Sequence, residues 1–515
     1  MHLRPNAPAA VSAGKSVIGF NIVNGREVEG DLGMIESRSA VDRRDLVGMF
    51  PDSGEKDVAR AAKAAADALP AWSALPASHR ADLIRRAAEH LERHRDKLAR
   101  ILTREIGMTQ QEAQTELQEA IDACAFFVAE TENLSRRAHR RPVGVCGILA
   151  TGASPLAAPL RKLAPALLSG NTVVWKPSDN APTAAYLLMR LLMEAGLPAG
   201  VVNTVNGKGR AGCGKHFLGG IEKGHYQAFS FIGSAPLGIA VGETCGRRLL
   251  VADLEVTAKG TFLVLPDADL DRAAADALAM GFGQAGQRPV GLANILVHEA
   301  CAKAFRERFL AGLAALPVGN PLSDADVICG PMMNARLATT FRDRRDAARE
   351  SGAALVAGGD HWTEANRTAQ VRGDVGHGAY LQPCVWEGVT PESDLFADQT
   401  PGPSVNLCSV RDFDEALVWA NLSPARVASS LYTQDPHAIA RFSREIHADL
   451  TGINAPAGDG STRIPLAGLG VRPGARPALE VFSRWQVLAG DACEDTHPGA
   501  PALAAGTLQT DWDSL

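Results

Sequence analysis

Hydrophobic residues recur with helical spacing before residue 130, and this pattern predicts three helices. Ser53 is the predicted N-cap of an alanine-rich helix over 55–68, which we expect to end near Pro70. A third helix is predicted over 109–130. The second helix between them presents apolar residues on one face, with arginine and glutamate opposite. Those apolar residues are Leu83, Ala87 and Leu91.

After residue 142 the pattern changes to short apolar runs separated by helical segments. Continuous apolar strands that alternate with helices predict an α/β fold, in which a parallel, doubly wound sheet is covered by helices on both faces. A second α/β unit begins near Thr261 and continues to about residue 455. The runs that predict strands of the first unit are 143–149, 172–175, 201–205 and 229–232.

Composition and charge narrow the class of protein. A chain of 515 residues predicts two or three domains. The net charge of −6 and the absence of a long basic run argue against nucleic acid as a partner; the densest basic cluster, 136–141, is interpreted mainly as a solvated or interface segment. No apolar run is long enough to span a bilayer, and the N-terminus lacks the apolar core of a signal peptide. We therefore expect a cytoplasmic protein without membrane contact.

Cysteine spacing gives no sign of a metal centre. The chain has nine cysteines, spread singly, and none forms a C-x-x-C pair. A zinc site or a disulfide framework is therefore not expected, and a reducing compartment fits better. We predict no bound metal.

Several motifs spread over residues 20–490 together resemble the aldehyde dehydrogenase superfamily. The resemblance implies a doubly wound parallel-sheet cofactor domain, a second α/β domain and a small β flap that joins subunits. The motifs that carry it lie at 141–147, 170–178, 194–203, 254–255, 266–271, 402–403 and 452–454.

The same resemblance suggests domain boundaries. We expect a dinucleotide-binding-like domain over 1–130 and 143–256 and a catalytic-like domain over 257–462. Oligomerisation segments are expected at 131–142 and 480–490, each with an unpaired edge that a second subunit would cover. Residues 491–515 are rich in Ala, Pro, Gly and Asp and are predicted to form a C-terminal tail. A homodimer or a dimer of dimers follows from this interpretation.

Two residues near the end of the second predicted strand match the family's adenosine-ribose site. The resemblance assigns Lys176 and Asp179 to the ribose hydroxyls. A carboxylate at position 179 would repel a 2′-phosphate, which mildly favours NAD over NADP. The alternative interpretation is a solvated lysine and a helix-capping aspartate. The G-x-G-x-x-G pattern at 207–212 is interpreted as a flexible turn, because this family does not bind its cofactor through that motif.

Two further motifs bear on the cofactor. Gly233, Ser234 and Gly238 resemble a strand-to-helix turn that binds pyrophosphate through free N–H groups at a helix N-terminus. An ordinary strand-to-helix turn is the alternative. Gln399 stands where the family has a glutamate that clamps the nicotinamide ribose. From this partial match, we expect NAD or NADP binding to be weak or absent.

The residues that define the family reaction are largely replaced. That reaction uses a cysteine thiolate, an asparagine side chain with the cysteine's N–H as oxyanion donors, and a glutamate base. Pro289 occupies the cysteine position and has neither a thiol nor an N–H. Ala153 occupies the asparagine position, and Glu255 is the one surviving catalytic candidate. The alternative interpretation of Glu255 is a structural carboxylate at the end of a strand. Each missing oxyanion donor costs roughly 10²–10³ in rate.

These replacements lead to three hypotheses. The main expectation is a non-catalytic homologue that serves as a scaffold, partner subunit or ligand-binding protein, with an unidentified protein or small molecule as its partner. The first alternative is a repurposed enzyme that acts in the same cleft, with or without NAD(P), and uses Glu255 as a base. The second alternative is residual NAD-dependent aldehyde oxidation by another route.

Overall fold

The computed structural model describes residues 14–135, 140–209, 212–423, 426–458, 466–467, 476–486 and 512. Small strands and long helices open the chain, as the hydrophobic pattern predicts. The elements are β1 (Val17–Ile18), β2 (Asn21–Val23), β3 (Arg26–Val28), β4 (Met34–Arg38), β5 (Leu46–Pro51), α1 (Glu55–Ala74), α2 (Ala77–Arg93), α3 (Arg95–Ile106) and α4 (Gln110–Ser135).

Two helix boundaries differ from the prediction. Helix α1 passes through Pro70 and ends at Ala74, because its apolar face continues to Trp72, which is buried in the core. Its N-cap is Gly54, and the backbone N–H of Gly54 donates to the side chain of Asp57. The predicted third helix is α4, and α3 precedes it as a separate helix that ends at Gly107 with φ +79. A left-handed residue of this kind ends a helix at low cost only when it is glycine.

The first large sheet has the strand order β11-β10-β7-β8-β9-β2-β3. Strands β7 to β11 run parallel, and β2 pairs antiparallel with β9. Because β7 lies between β8 and β10, the direction of winding reverses there, and a crevice opens at the carboxyl ends of the strands. The elements are β6 (Arg140–Pro142), β7 (Val145–Leu149), α5 (Ala157–Leu168), β8 (Thr172–Lys176), α6 (Pro182–Glu194), β9 (Val202–Thr204), α7 (Cys213–Glu222), β10 (Ala228–Gly233), α8 (Ala235–Arg247) and β11 (Val251–Val256).

The second large sheet has the order β15-β17-β18-β13-β12-β19-β20 and is parallel except for its edge strand β15. The predicted α/β class with parallel sheets is therefore confirmed. The elements are β12 (Ala258–Val264), α9 (Leu270–Phe282), β13 (Val290–His298), α10 (Glu299–Ala315), β14 (Val318–Gly319), α11 (Ala335–Glu350), β15 (Ala354–Ala357), β16 (Val371–Arg372), β17 (Cys384–Glu387), α12 (Asp394–Ala397), β18 (Ser404–Val410), α13 (Phe413–Leu422), β19 (Ala428–Tyr432), α14 (Pro436–Glu445) and β20 (Leu450–Ile453).

The predicted oligomerisation segments pair with each other within the chain, so our expectation that only a second subunit would cover their edges is wrong. Strand β6 lies antiparallel to β23. The pattern of apolar residues predicts that Val481 and Trp485 share one face of a strand, and this prediction is wrong. Val481 lies in a helix, and Trp485 lies in the strand that follows it. Val487, Leu488 and residues 136–139 fall outside the described residues. The last elements are β21 (Leu466–Ala467), β22 (Arg476–Pro477), α15 (Ala478–Val481) and β23 (Ser483–Trp485).

One further property concerns the length and the apolar character of the helices. Within the described ranges, no helix combines the length and the apolar character needed to cross a membrane.

Candidate active site

The loops that the sequence assigned to catalysis meet at the junction of the two sheets. Nε2 of Gln284 donates to the carbonyl of Ala153 at 2.7 Å, which joins the loop before β13 to the loop after β7. The N–H of Ala258, three residues after Glu255, donates to the carbonyl of Pro289 at 2.9 Å. Thr257, which precedes Ala258, donates its N–H to the carbonyl of Gly233 at 2.8 Å. Residues far apart in the chain therefore form one site.

The loop before β13 is held in an unfavourable backbone conformation. Gln284, Ala285 and Gly286 have φ angles of +48, +51 and +66. A left-handed conformation at a residue with a Cβ costs roughly 1–3 kcal/mol, and such strain clusters at functional sites. Only glycine fits at position 286, because a Cβ would lie 2.0 Å from the carbonyl oxygen of Gly402. The strain supports a functional role for this loop even though its position 289 is proline.

Glu112 of helix α4 helps to hold the strained loop. Its carboxylate accepts the backbone N–H of Gln284 at 2.6 Å and lies 3.3 Å from the guanidinium of Arg288. The same helix presents Glu116, whose carboxylate accepts the N–H groups of Leu156 and Ala157 at 2.9 and 2.8 Å. An anion at the N-terminus of α5 satisfies donors that lack partners within the helix. Helix α4 thereby fixes both loops of the site.

Glu255 lies at the carboxyl end of β11 in a buried network of charges. Its carboxylate is 2.8 Å from Nζ of Lys162 and 3.5 Å from the guanidinium of Arg161, two neighbouring residues of α5. Lys162 also lies 3.1 Å from Asp253, which shares a strand face with Glu255 because side chains alternate along β11. Glu119 of α4 lies 3.8 Å from Arg161 and completes the cluster.

This network keeps Glu255 ionised. Burial by itself raises the pKa of the Glu255 carboxyl, but the charges of Lys162 and Arg161 outweigh burial and lower that pKa below its ordinary value. In the same way the pKa of Lys162 is raised, because the attraction of Asp253 and Glu255 outweighs burial. The contact between Lys162 and Oε2 of Glu255 is short but poorly directed, so this oxygen completes no hydrogen bond among the described residues. The oxygen is itself buried, so its charge is balanced by Lys162 inside the protein.

Lys176 and Asp179 lie together at the carboxyl end of β8, where the topology places a ligand crevice. The ammonium of Lys176 is buried, donates to the carbonyl of Pro177 at 2.8 Å, and has no ion-pair partner in the described ranges. An ammonium offers three donors, so two are left for ribose hydroxyls. Asp179 is exposed, and one of its oxygens accepts the N–H of Gly209 at 3.0 Å. This bond docks the 207–212 turn onto the site; Arg210 and Ala211 lie outside the described residues.

The predicted pyrophosphate turn divides into two parts. Ser234 is the N-cap of α8, is exposed, and forms no side-chain capping bond, so its hydroxyl is open to a phosphate. The helix adds few N–H donors, because Pro236 has none and the N–H groups of Leu237 and Gly238 donate to the carbonyl of Ser234. The two glycines have a packing explanation. A Cβ at Gly233 would lie 2.7 Å from the ring of Phe231, and a Cβ at Gly238 would lie 3.2 Å from Val256. Gly238 therefore lets α8 pack closely on the sheet.

Gln399 carries an unused donor. Its Oε1 accepts the backbone N–H of Lys259 at 2.6 Å, while its Nε2 is buried and has no partner among the described residues. An unpaired buried amide is costly, and a ribose hydroxyl would satisfy it. Together with Lys176 and Ser234, this orphaned group fits a dinucleotide.

Lys259 itself is buried next to this position. Its ammonium donates to the carbonyls of Gly402 and Ser404 at 2.9 and 3.4 Å. Burial lowers the pKa of Lys259 to about 8.

None of the cysteines that the structure describes is suited to replace the missing nucleophile. Eight of them lie in the described ranges, and all eight are unpaired and buried. Burial raises the pKa of each of these thiols, to about 11 for Cys245 and to about 12 for Cys384. A reactive cysteine needs a lowered pKa, because the thiolate is the nucleophile.

Sequence reasoning missed the partners of Glu255. Lys162 stands inside the apolar run of α5, and a charged residue at such a position signals a buried partner. Asp253 precedes Glu255 by two residues and therefore had to share its strand face. Both signals were present in the sequence, but the identity of each partner required the packing of α5 against the sheet.

Comparisons with known proteins identify relatives that match most of this chain. An alpha-ketoglutarate semialdehyde dehydrogenase of Haloferax volcanii is 32% identical over 465 residues, which cover 87% of this chain and 92% of that protein. The alpha-ketoglutaric semialdehyde dehydrogenase of Bacillus subtilis is 29% identical over 463 residues, with coverages of 87% and 92%. The crystal structure of an NAD-dependent aldehyde dehydrogenase from Sinorhizobium meliloti superimposes with a TM-score of 0.84 at 25% identity and covers 93% of this chain and 96% of that one.

These findings correct two expectations. The hypothesis of a non-catalytic scaffold is wrong, because relatives that match over nearly the whole chain are named as dehydrogenases. They favour the alternative of an NAD-dependent oxidoreductase. The expectation of weak or absent cofactor binding finds no support, since the superimposed structure is named as NAD-dependent.

The extent of the match settles the family. A sequence profile described as the Aldehyde dehydrogenase family matches residues 28–471. It spans every loop of the candidate site and all strands of the two large sheets except β2 and most of β3. The chain therefore belongs to the aldehyde dehydrogenase family.

Proposed function

We propose that this protein is an NAD(P)-dependent aldehyde oxidoreductase that works without a thiol at position 289. The observation that carries this proposal is the buried carboxylate of Glu255, which Lys162 and Arg161 keep ionised. It lies three residues before Ala258, whose N–H donates to the carbonyl of Pro289. Family membership supplies the reaction class, and the replacements at 153 and 289 determine the route.

The substrate form that suits this site is the hydrated aldehyde, R–CH(OH)₂. A bound nicotinamide would serve as the hydride acceptor. Loss of a hydride from the carbon of R–CH(OH)₂ leaves a protonated carboxylic acid, R–C(OH)₂⁺, and the carboxylate of Glu255 would take a proton from one of its two hydroxyl groups. The products are the carboxylic acid, the reduced dinucleotide and one proton. Even a carboxylate with a lowered pKa is a sufficient base here, because the hydroxyl becomes strongly acidic during the step.

This route accounts for the paired loss of the thiol and the amide. Without attack by a cysteine, no tetrahedral alkoxide develops on a thiohemiacetal, so an oxyanion donor at position 153 is not needed for that step. The charged residues of α5 then act on Glu255: Lys162 keeps the carboxylate ionised, and Arg161 orients it. Pro289 makes position 289 rigid and leaves its carbonyl to hold Ala258.

For the cofactor, we propose NAD in preference to NADP. Lys176, Asp179 and Ser234 would hold the adenosine ribose and pyrophosphate, with Gly233 and Gly238 shaping the turn. Gln399 would donate Nε2 to the nicotinamide ribose. The carboxylate of Asp179 would repel a 2′-phosphate. Isothermal calorimetry with both oxidised cofactors tests this preference, and tighter binding of NADP than of NAD would contradict it.

For assembly and location, we propose a homo-oligomer in the cytoplasm. Trp485 of β23 is 63% exposed, and Ile239 and Leu249 near α8 are 63% and 95% exposed. Large exposed apolar groups of this kind favour a protein interface. Eight unpaired cysteines fit a reducing compartment. We also propose the domain boundaries given above, with 1–130 and 143–256 binding the cofactor and 257–462 forming the second domain.

The function is tested by measuring reduction of NAD and NADP at 340 nm over a panel of aldehydes. Glu255→Gln should lower kcat by at least about 100-fold, since a positioned base contributes 10²–10⁴. Glu89→Gln, an exposed carboxylate on α2, is the matched control. Alkylation with iodoacetamide should leave turnover unchanged, and strongly hydrated aldehydes should give the higher kcat/KM.

Two results would overturn the proposal. The first is unchanged turnover in Glu255→Gln, which would remove the base from the mechanism. The second is complete inactivation of the wild type by alkylation of one cysteine, because this would show that a thiol carries the reaction.

A further inference from the structure

A cluster of potential metal ligands lies on the outer helices, on elements that hold none of the residues of the proposed oxidoreductase site. His90 lies near the end of α2, and His94 follows that helix as its C-cap. Glu194 is the last residue of α6. Each offers one ligand atom, and these atoms lie within 4.8 Å of one another. Residues four apart on a helix share one face, so both imidazoles point toward Glu194.

We propose that His90, His94 and Glu194 bind one zinc-type divalent metal ion. Two imidazoles and a carboxylate form a ligand set that zinc takes up in tetrahedral geometry, with water in the fourth position. Nδ1 of His90 already lies 3.7 Å from Oε2 of Glu194. Bonds of about 2.0–2.1 Å would bring the ligand atoms to roughly 3.3 Å apart. Since the ligand atoms lie within 4.8 Å of one another, each pair would have to approach by at most about 1.5 Å.

An unpaired donor or acceptor independently points to a ligand. The Nδ1 atom of His90 is buried and has no hydrogen-bond partner among the described residues. Leaving such an atom unsatisfied costs about 1–3 kcal/mol. Coordination of a metal would satisfy it, and no other described group takes this role.

Trp512 supplies an outer partner for the proposed ligands. Its indole stacks on the ring of His94 with centroids 3.9 Å apart and planes at 16°. Its Nε1 donates to Oε2 of Glu194 at 3.2 Å. Partners that orient a metal-bound carboxylate in this way raise metal affinity. The carbonyl of Trp512 accepts a hydrogen bond from Lys97 at 2.6 Å, so metal binding would tie residue 512 to the α2–α3 surface.

The ligand types select among metals. The cluster offers two imidazoles and only one carboxylate. Calcium and magnesium, which depend on several oxygen ligands, are therefore disfavoured. Zinc forms strong bonds to neutral imidazole and tolerates this environment better. The prediction of no bound metal did not include this site, because its ligands come from two helices that are far apart in the chain.

The test uses equilibrium dialysis of the EDTA-stripped full chain against zinc chloride. We expect one zinc per wild-type chain, with no uptake of calcium or magnesium. The double variant His90→Ala/His94→Ala should bind zinc at least about 100-fold more weakly, since even outer partners contribute 10–100-fold. His79→Ala, an exposed histidine on the same helix, is the matched control and should bind normally. Trp512→Phe should weaken binding by about tenfold.

A second measurement guards against a folding artefact. Far-UV circular dichroism of each stripped variant should match the wild type, and His94→Gln replaces the double variant if that chain does not fold. Cobalt should give the absorption bands of tetrahedral coordination in the wild type and not in His94→Gln. Equal zinc binding by wild type and variant, or no binding by the wild type, would overturn the proposal. The stacking of Trp512 on His94 would then only hold residue 512 against the helices, without a metal.

Discussion

The ammonium of Lys162 lies 2.8 Å from the carboxylate of Glu255, and both side chains are buried. Lys162 comes from α5, which directly follows the loop of Ala153, whereas Glu255 ends β11. The pair thus links the first sheet to the helix that covers it. Because a buried charge without its partner is strongly unfavourable, each residue fixes the ionisation state of the other.

We first predict that Lys162→Met shifts the acid limb of the pH profile of kcat/KM to higher pH. The pKa of Glu255 is lowered in the wild type, so its activity should persist below pH 4.5 if the fold survives there. Removal of Lys162 leaves burial as the main influence on Glu255, and burial raises its pKa. The profile of kcat/KM reports the pKa of the essential base in the free enzyme.

Stability provides the accompanying measurement. A carboxyl group whose pKa is lowered by folding stabilises the fold at pH values above its ordinary pKa. This contribution is lost as the pH falls through the folded-state pKa. Lys162→Met should lower the free energy of unfolding by about 3–5 kcal/mol at neutral pH, because Asp253 and Glu255 lose their shared cation. Lys162→Arg retains the cation and serves as the control. An acid limb that stays in place in Lys162→Met would contradict the assignment of Glu255 as the base.

The second prediction concerns Pro289→Cys. The single variant should not gain a rapid thiol-dependent reaction, because Ala153 provides no side-chain donor for an oxyanion. The double variant Pro289→Cys/Ala153→Asn should exceed the single variant by about 10²–10³ in rate, the contribution of one oxyanion donor. Turnover that becomes sensitive to iodoacetamide is the measurement. Equal rates in the two variants would show that the loop at 151–156 does not face the carbon under attack.

The third prediction concerns Lys259. Below about pH 8 the folded protein holds a buried ammonium, whereas the unfolded chain keeps this charge up to its ordinary pKa of 10.5. Burial of this charge destabilises the fold by its full amount below pH 8. The destabilisation decreases as the pH rises from 8 toward 10.5. Between pH 7 and 9.5, the free energy of unfolding of the wild type should rise by about 2 kcal/mol relative to Lys259→Met.

Denaturant unfolding at the two pH values checks this expectation. Lys303→Met removes an exposed lysine and should show no such difference between pH values. A constant difference between wild type and Lys259→Met across the pH range would mean that the ammonium of Lys259 is not destabilised by burial.

The fourth prediction concerns assembly. The exposed ring of Trp485 lies 5.0 Å from the guanidinium of Arg140, so the ribbon of β6 and β23 has an exposed aromatic surface, which we propose as the contact with a second subunit. Trp485→Glu should raise the dissociation constant of the oligomer by about tenfold or more, as expected for a buried aromatic anchor. Sedimentation velocity measures the effect. Val418→Glu replaces another exposed apolar residue, 57% exposed on α13, and should assemble normally.

The sequence by itself determined the architecture of this protein. Continuous apolar strands such as 172–175 have no polar face for water, so they had to lie inside a parallel sheet with helices on both sides. The motifs around Lys176 and Glu255 placed an ammonium and a carboxylate at the ends of strands, where we propose that the cofactor binds. The residue type at 289 could also be read directly, because proline excludes a thiol whatever the fold.

Only the tertiary structure decided which groups act together. The pairing of Glu255 with Lys162 crosses 93 positions of sequence, and no local pattern specifies a contact of that kind. The strain at Gln284 is visible only in its backbone angle. The proximity of Trp512 to His94 likewise depends on where the end of the chain docks. Periodicity sets which face of an element is buried, whereas the packing of elements sets which charges share that buried space, and the chemistry depends on the second.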